Sequence, residues 1–194
     1  MKAGLAFWAG VIGAAAIVLV LAISRAVGGT GFNLGHWVGS MFTGTTTAGS
    51  WALGFVITLI LGGLIALIYA AFFEAVRRSN WELGLAGGIV HLIVAGIAVG
   101  AISAVHPSIP EAVADPGYFT ANYGTSSIIA FALAHLVFGI VVGSIYKPLH
   151  KRIVRREELT ADERAAVGAG HERYGREREH VPTGPEESRR QRRL

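Results

Sequence analysis

The run WALGFVITLILGGLIALIYAAFF, residues 51–73, decides the fold, because its 23 consecutive positions contain no Asp, Glu, Lys or Arg. As a helix rising 1.5 Å per residue it reaches about 35 Å, enough to cross a hydrocarbon core of about 30 Å. Lipid offers no hydrogen-bond partners, so a lone spanning segment must pair its backbone groups internally, as a helix does. Working outward, residues 3–24, 82–104 and 126–146 are likewise long, apolar and free of charge in their interiors. The expectation is an all-α polytopic membrane protein: a four-helix transmembrane domain over residues 1–146 and a basic tail over 147–194.

Charge supports this division. Residues 1–146 hold four of the 17 Lys/Arg (Lys2, Arg25, Arg77, Arg78) and four of the 13 Asp/Glu (Glu74, Glu82, Glu111, Asp115). The tail holds the other 13 and 9, so the whole net charge of +4 lies there. Only 15% of the chain is charged, against about 25% for a soluble domain. The absence of cysteine excludes disulfides, thiolate metal sites and cysteine nucleophiles.

Positive residues are retained on the cytoplasmic side of a span. Lys2, the Arg77-Arg78 pair and the tail from Lys147 alternate as that rule requires, with Arg25 alone on the far side. Both termini are therefore expected on the cytoplasmic side. Trp8, Tyr69, Trp81 and Tyr146 fall near the inner interface, and Trp37, Trp51, Tyr118 and Tyr123 near the outer one, as aromatic belts. The first apolar run is too long for a signal-peptide core of about 7 to 15 residues. Between the first two spans, Leu34, Trp37, Val38, Met41 and Phe42 make one apolar helical face opposite Gly35, His36, Gly39, Ser40 and Thr43. That pattern predicts a short amphipathic helix over residues 32–43, lying in the outer interface.

The tail opens with Lys147, Lys151, Arg152, Arg155 and Arg156, where an anionic leaflet attracts each positive residue by about 1 kcal/mol. The lipid headgroups are thus its first expected partner. Thr160 and Glu163 have capping-box spacing for a short helix. Beyond Gly168 the mixture of Arg, Glu, Gly and Pro predicts disorder. The interleaved Glu residues and the lack of aromatics argue against nucleic acid.

The spans resemble one another. Residues 61–69, LGGLIALIY, match 138–146, FGIVVGSIY: Gly62 with Gly139, Ala66 with Gly143, Tyr69 with Tyr146. Ala22-Ile23-Ser24 recurs as Ala101-Ile102-Ser103. This internal repeat predicts two similar helical hairpins related by an axis along the membrane normal. Small residues let membrane helices approach closely. Gly84, Gly88, His91 and Ala95 form one such stripe, and Ala132, His135, Gly139 and Gly143 another. Gly96 and Gly100 make an exposed Gly-x-x-x-Gly, a candidate face for a homo-oligomer or a larger membrane complex, though packing within the bundle would use it as readily.

His91 and His135 therefore belong to packing faces near mid-membrane, where they are expected to meet. The plain reading is a pair of neutral imidazoles hydrogen-bonded across the bundle. Intramembrane ionisable groups also invite functional readings. One is ligation of haem b by both histidines, making an electron carrier; a metal site would need further ligands, and His36 and His106 fall at the outer surface. Another is a small-solute channel or transporter with its site at the repeat interface. No carboxylate lies within a span to continue a proton relay, and the Gly-Ser pairs lack the pattern of a nucleophile elbow. The leading expectation is a non-enzymatic structural or accessory component of the membrane.

The run His-Leu-Val-Phe-Gly-Ile-Val-Val-Gly-Ser-Ile-Tyr, residues 135–146, resembles the fourth-span signature of the YagU-like family of small bacterial inner-membrane proteins. The loop His106-Pro107, Asp115-Pro116-Gly117-Tyr118-Phe119 and Gly124 is similar to that family's Pro-Gly-x-Phe loop. The resemblance is best over residues 84–146; Thr58 stands where such proteins often carry a histidine. It implies a four-helix membrane bundle and no particular chemistry.

Overall fold

The computed structural model of the chain describes residues 1–148. The tail readings, including Lys151, Arg152, Arg155, Arg156 and the Thr160–Glu163 helix, lie outside the described residues. The described residues form five α-helices: α1 (Ala3–Ala26), α2 (Leu34–Thr43), α3 (Ala48–Ala75), α4 (Trp81–Ser103) and α5 (Thr125–Ile145). A 3-10 turn, Tyr118–Tyr123, precedes α5, and the described residues contain no strand. α1, α3, α4 and α5 are each long and apolar enough to cross a membrane. The protein is an all-α chain with the composition of a multi-pass membrane protein.

Local chemistry sets the helix starts. Asn33, Thr47 and Asn80 cap α2, α3 and α4 by accepting the backbone N–H of His36, Ser50 and Leu83, each satisfying a donor that the first turn leaves unpaired. Gly44 ends α2 at φ +67°, a conformation costly for other residues.

α1 packs on α3 and α5, and α4 packs on α5. Both antiparallel pairs use the same contact. A Cβ on Gly10 would collide with the Gly62 carbonyl and the Ala66 methyl, and one on Gly84 with the Gly139 carbonyl and the Gly143 backbone. Reciprocally, Gly62 faces Ala14 and Gly10, as Gly139 faces Gly88 and Gly84. The backbones therefore touch, and dispersion between them replaces side-chain interdigitation.

α2 is buried on more than its apolar stripe. Gly35, Trp37, Val38, Gly39 and Ser40 are buried, while Phe42 is 67% exposed. The small residues opposite the apolar stripe meet α3: a Cβ on Gly39 would strike the Ser50 carbonyl, and one on Gly54 the Gly35 carbonyl. Close approach adds to the apolar stripe here.

The Gly96/Gly100 pair is not a free association face either. The loop after α4 folds back so that the Phe119 ring covers Gly96 and the Tyr118 ring covers Gly100. Phe119 and Thr120 hold this turn at φ +53° and +59°, strained for side chains of their kind. The Thr120 hydroxyl joins a buried chain, 2.9 Å from Ser127 Oγ, which lies 2.6 Å from Thr30 Oγ1.

At the opposite end, Tyr146 donates to Glu74 at 2.6 Å and accepts the Lys2 backbone N–H at 3.2 Å. Lys2 Nζ donates to the Lys147 carbonyl at 3.0 Å. The starts of α1 and α4 and the ends of α3 and α5 thus share one end of the bundle; α2 and the 3-10 turn share the other.

A candidate ligand site between α3 and α4

The helices follow the order α3, α1, α5, α4 around the bundle, and the circuit does not close. The α3 and α4 backbones do not pack together. A cleft of about 730 Å³ lies between them, with α1 and α5 as its back wall and Phe32, Leu34, Trp37 and Val38 at its loop end. On α4 its lining runs from Ala86 to Ile102, about 24 Å of helix. No Asp, Glu, Lys or Arg lines it. Tyr69 bridges the helices at the end nearer the termini, its ring against Gly87 and in edge contact with His91, centroids 6.1 Å apart.

The structure brings His91 and His135 together in this cleft. Their ring centroids are 4.9 Å apart at an interplanar angle of 83°. Phe138 lies 4.9 Å from His91, and Phe131 4.2 Å from His135. Glycines make this possible: Gly84, Gly88, Gly139 and Gly143 draw α4 onto α5, and each imidazole projects from that seam. His135 Nδ1 lies 2.8 Å from the Phe131 carbonyl, which only accepts, so Nδ1 carries the proton and Nε2 is left as an acceptor. His91 Nδ1 is buried without a partner among the described residues. Thr58, on the α3 wall, donates to the Gly54 carbonyl at 2.7 Å.

This geometry does not fit haem b. Two axial imidazoles stand on opposite faces of a porphyrin and aim their nitrogens at one iron. Here the rings touch, and no gap between them admits the macrocycle. The described residues contain no group of three or more His, Cys, Asp or Glu able to hold a metal ion. His36 and His106 lie at the loop end; His106 donates from Nε2 to the Trp37 carbonyl at 2.8 Å and accepts from the Ser108 backbone at 3.1 Å.

Two cleft residues that the sequence pattern places near the interfaces are buried. Tyr69 and Trp37 are each 7% exposed, and their polar atoms, Tyr69 Oη and Trp37 Nε1, are buried without partners among the described residues. Tyr146 is also fully buried, whereas Trp8 and Trp81 are 64% and 55% exposed. The signal available for Tyr69 was its place four residues beyond Ile65, on the stripe that reaches Thr58 and Gly62.

Comparison with protein families, curated proteins and solved structures gives no match to this chain.

Proposed function

We propose that the protein is a multi-pass accessory protein of the bacterial cytoplasmic membrane, without enzymatic activity, that holds a lipophilic molecule in the cleft between α3 and α4. The observation that carries this reading is the cleft itself: long, uncharged and lined almost wholly by apolar groups, as small-molecule sites predominantly are. A hydrophilic solute would lose its hydration against these walls, so a bound lipophile is favoured over a solute channel. Lys2, Arg77, Arg78 and Lys147 share one end, which supports a cytoplasmic location for both termini. The matching contacts of Gly10 with Gly62 and Gly84 with Gly139 support an internal repeat, and the resemblance over residues 84–146 supports membership of the YagU-like group. Self-association would use lipid-facing surfaces other than Gly96 and Gly100.

The test is to purify the full chain in mild detergent and compare its extractable lipophiles with those of the bulk membrane by mass spectrometry. One species should be enriched about tenfold or more and lost on Val94→Trp, which fills the cleft from α4. An extract identical to bulk lipid, unchanged by that substitution, overturns the reading.

A further inference from the structure

The two walls of the cleft are joined, at the end nearer the termini, by residues 76–80. α3 stops at Ala75 and α4 starts at Trp81, and because the two helices do not pack together this segment spans the gap between them. Its second half is fixed: Ser79 Oγ donates to the Gly143 carbonyl at 2.6 Å, and Asn80 caps α4. Its first half ends α3. The Arg77 and Arg78 N–H groups donate at 3.2 Å to the carbonyls of Glu74 and Phe73, the bonding of a Schellman motif with Arg77 as its left-handed residue, φ +54°. Glycine fills that position without strain, and a side chain there carries a cost. The chain nevertheless places an arginine there and a second beside it, both exposed. Among the described residues neither guanidinium has an ion-pair partner. The carboxylates nearest in sequence are engaged elsewhere, Glu74 with the N-terminal amine and the Tyr146 hydroxyl, Glu82 with the Asn80 amide.

The cleft walls carry no charge, so an occupant that suits both walls and mouth has a hydrocarbon body and an anionic head. Basic pockets between membrane helices take anionic headgroups in this way, and a guanidinium meets a phosphate through two parallel hydrogen bonds. Length agrees. The lining runs about 24 Å along α4, more than the hydrocarbon depth of one leaflet, about 15 Å, so a chain entering at the arginine end is flanked along its whole length. We propose that the cleft holds an acyl chain of an anionic phospholipid whose phosphate is bound by Arg77 and Arg78. This rests on the cleft reading above and names the class of its ligand.

The test uses the full chain, delipidated in mild detergent and titrated with dioleoylphosphatidylglycerol or dioleoylphosphatidylcholine, the first bound lipid being counted by native mass spectrometry. Wild type should bind phosphatidylglycerol about tenfold or more tightly than phosphatidylcholine. Arg77→Gly and Arg78→Gln should each weaken phosphatidylglycerol by about three- to fivefold and leave phosphatidylcholine unchanged. Arg77→Gly should do so with a thermal midpoint at or above that of wild type, since glycine relieves the left-handed residue; an arginine kept for structure alone would lower the midpoint and leave selectivity intact. Lys147→Gln, which removes a positive charge from the same end but off the connecting segment, should keep the preference. Glycerophosphoglycerol, the same head without chains, should not bind. Val94→Trp, at a position 60% exposed and so tolerant of bulk, should abolish both lipids. Equal affinity for the two lipids, or a preference indifferent to both arginine substitutions, overturns the headgroup inference while the Val94→Trp effect keeps the cleft reading. A preference lost with the arginines but untouched by Val94→Trp also overturns it, since the lipid would then lie outside the cleft. If neither lipid binds a helical wild type, both readings fall.

Discussion

At the scale of single residues, the hydroxyl chain at the loop end shows how buried polar groups constrain this bundle. Ser127 Oγ serves both Thr30 and Thr120, and Thr30 Oγ1 also accepts the Phe32 backbone N–H at 3.0 Å. Ser127→Ala removes the partner that the Thr30 and Thr120 hydroxyls share, leaving Thr30 only the Phe32 N–H, and releases the turn that Thr120 holds at φ +59°. It should lower stability by about 1–3 kcal/mol, read as a fall in thermal midpoint in detergent; an unchanged midpoint would mean the turn is held elsewhere. Tyr123, in the same turn, has its phenol pKa raised, first by burial and then by the Asp115 carboxylate. A raised folded-state pKa means that the neutral phenol is the stabilising form. Its contribution is complete below the unfolded value near 10 and is lost as pH climbs through the higher folded value. Alkaline titration should therefore loosen the loop, seen as faster proteolysis, and Tyr123→Phe should remove that part of the pH dependence. The site was legible in part for a related reason. The two histidines stand out in sequence because ionisable groups are rare in spans, and helical spacing alone puts them on facing stripes. Tyr69 and Trp37 do not stand out, because an interfacial aromatic and an inward one have the same sequence appearance; only packing against Gly87, or beneath Phe32, separates them.

At the scale of elements, the four spans could be read to within three residues of their observed ends, because hydrocarbon thickness fixes length and the absence of charge marks the interior. Their faces were less legible. Within lipid the choice of packing face follows size as well as polarity, so the stripes of Gly84, Gly88, Gly139 and Gly143 could be read, whereas on α2 the apolar pattern marked Trp37 and Val38 but not the contact of Gly35 and Gly39 with α3. The Gly96/Gly100 pair could not be assigned to a partner, since the rings that cover it come from a loop twenty residues away. The difference can be measured on α4 and α1. Gly84→Leu would drive a side chain into the Gly139 carbonyl, with backbone rather than a flexible side chain in its path. It should cost about 1–3 kcal/mol or more of thermal stability in detergent, as overpacking does. Gly4→Leu, where a new Cβ meets nothing within 4 Å, should be close to neutral. Equal effects would mean that the glycine seam between α4 and α5 is not what holds them.

At the scale of the whole molecule, two hairpins built on the same glycine contact could meet through two equivalent interfaces, α1 with α5 and α3 with α4. Only the first is closed. The cleft lies where the α3 and α4 backbones stay apart, and the difference has visible causes. Between α4 and α5 the loop is long enough to fold over α4, and α2 lies against α3, so each helix flanking the cleft has a different companion at the loop end. The ends of the bundle are also unlike. One carries Lys2, Arg77, Arg78 and Lys147 together with the Tyr146–Glu74 hydrogen bond, and the other carries Arg25 and the buried hydroxyls. If positive charge sets the orientation, the first end faces the cytoplasm and the cleft's loop end faces outward. The chain has no cysteine, so single replacements report position without background. Val105, 79% exposed beside the outer loop, and Arg78, exposed between α3 and α4, lie on opposite ends. In intact cells a membrane-impermeant maleimide should label Val105→Cys and spare Arg78→Cys, which should react only after lysis. Labelling of Arg78→Cys with Val105→Cys protected would invert the protein in the membrane. The positive-inside rule would then fail for this chain, and the end of the cleft roofed by Trp37 would face the cytoplasm instead.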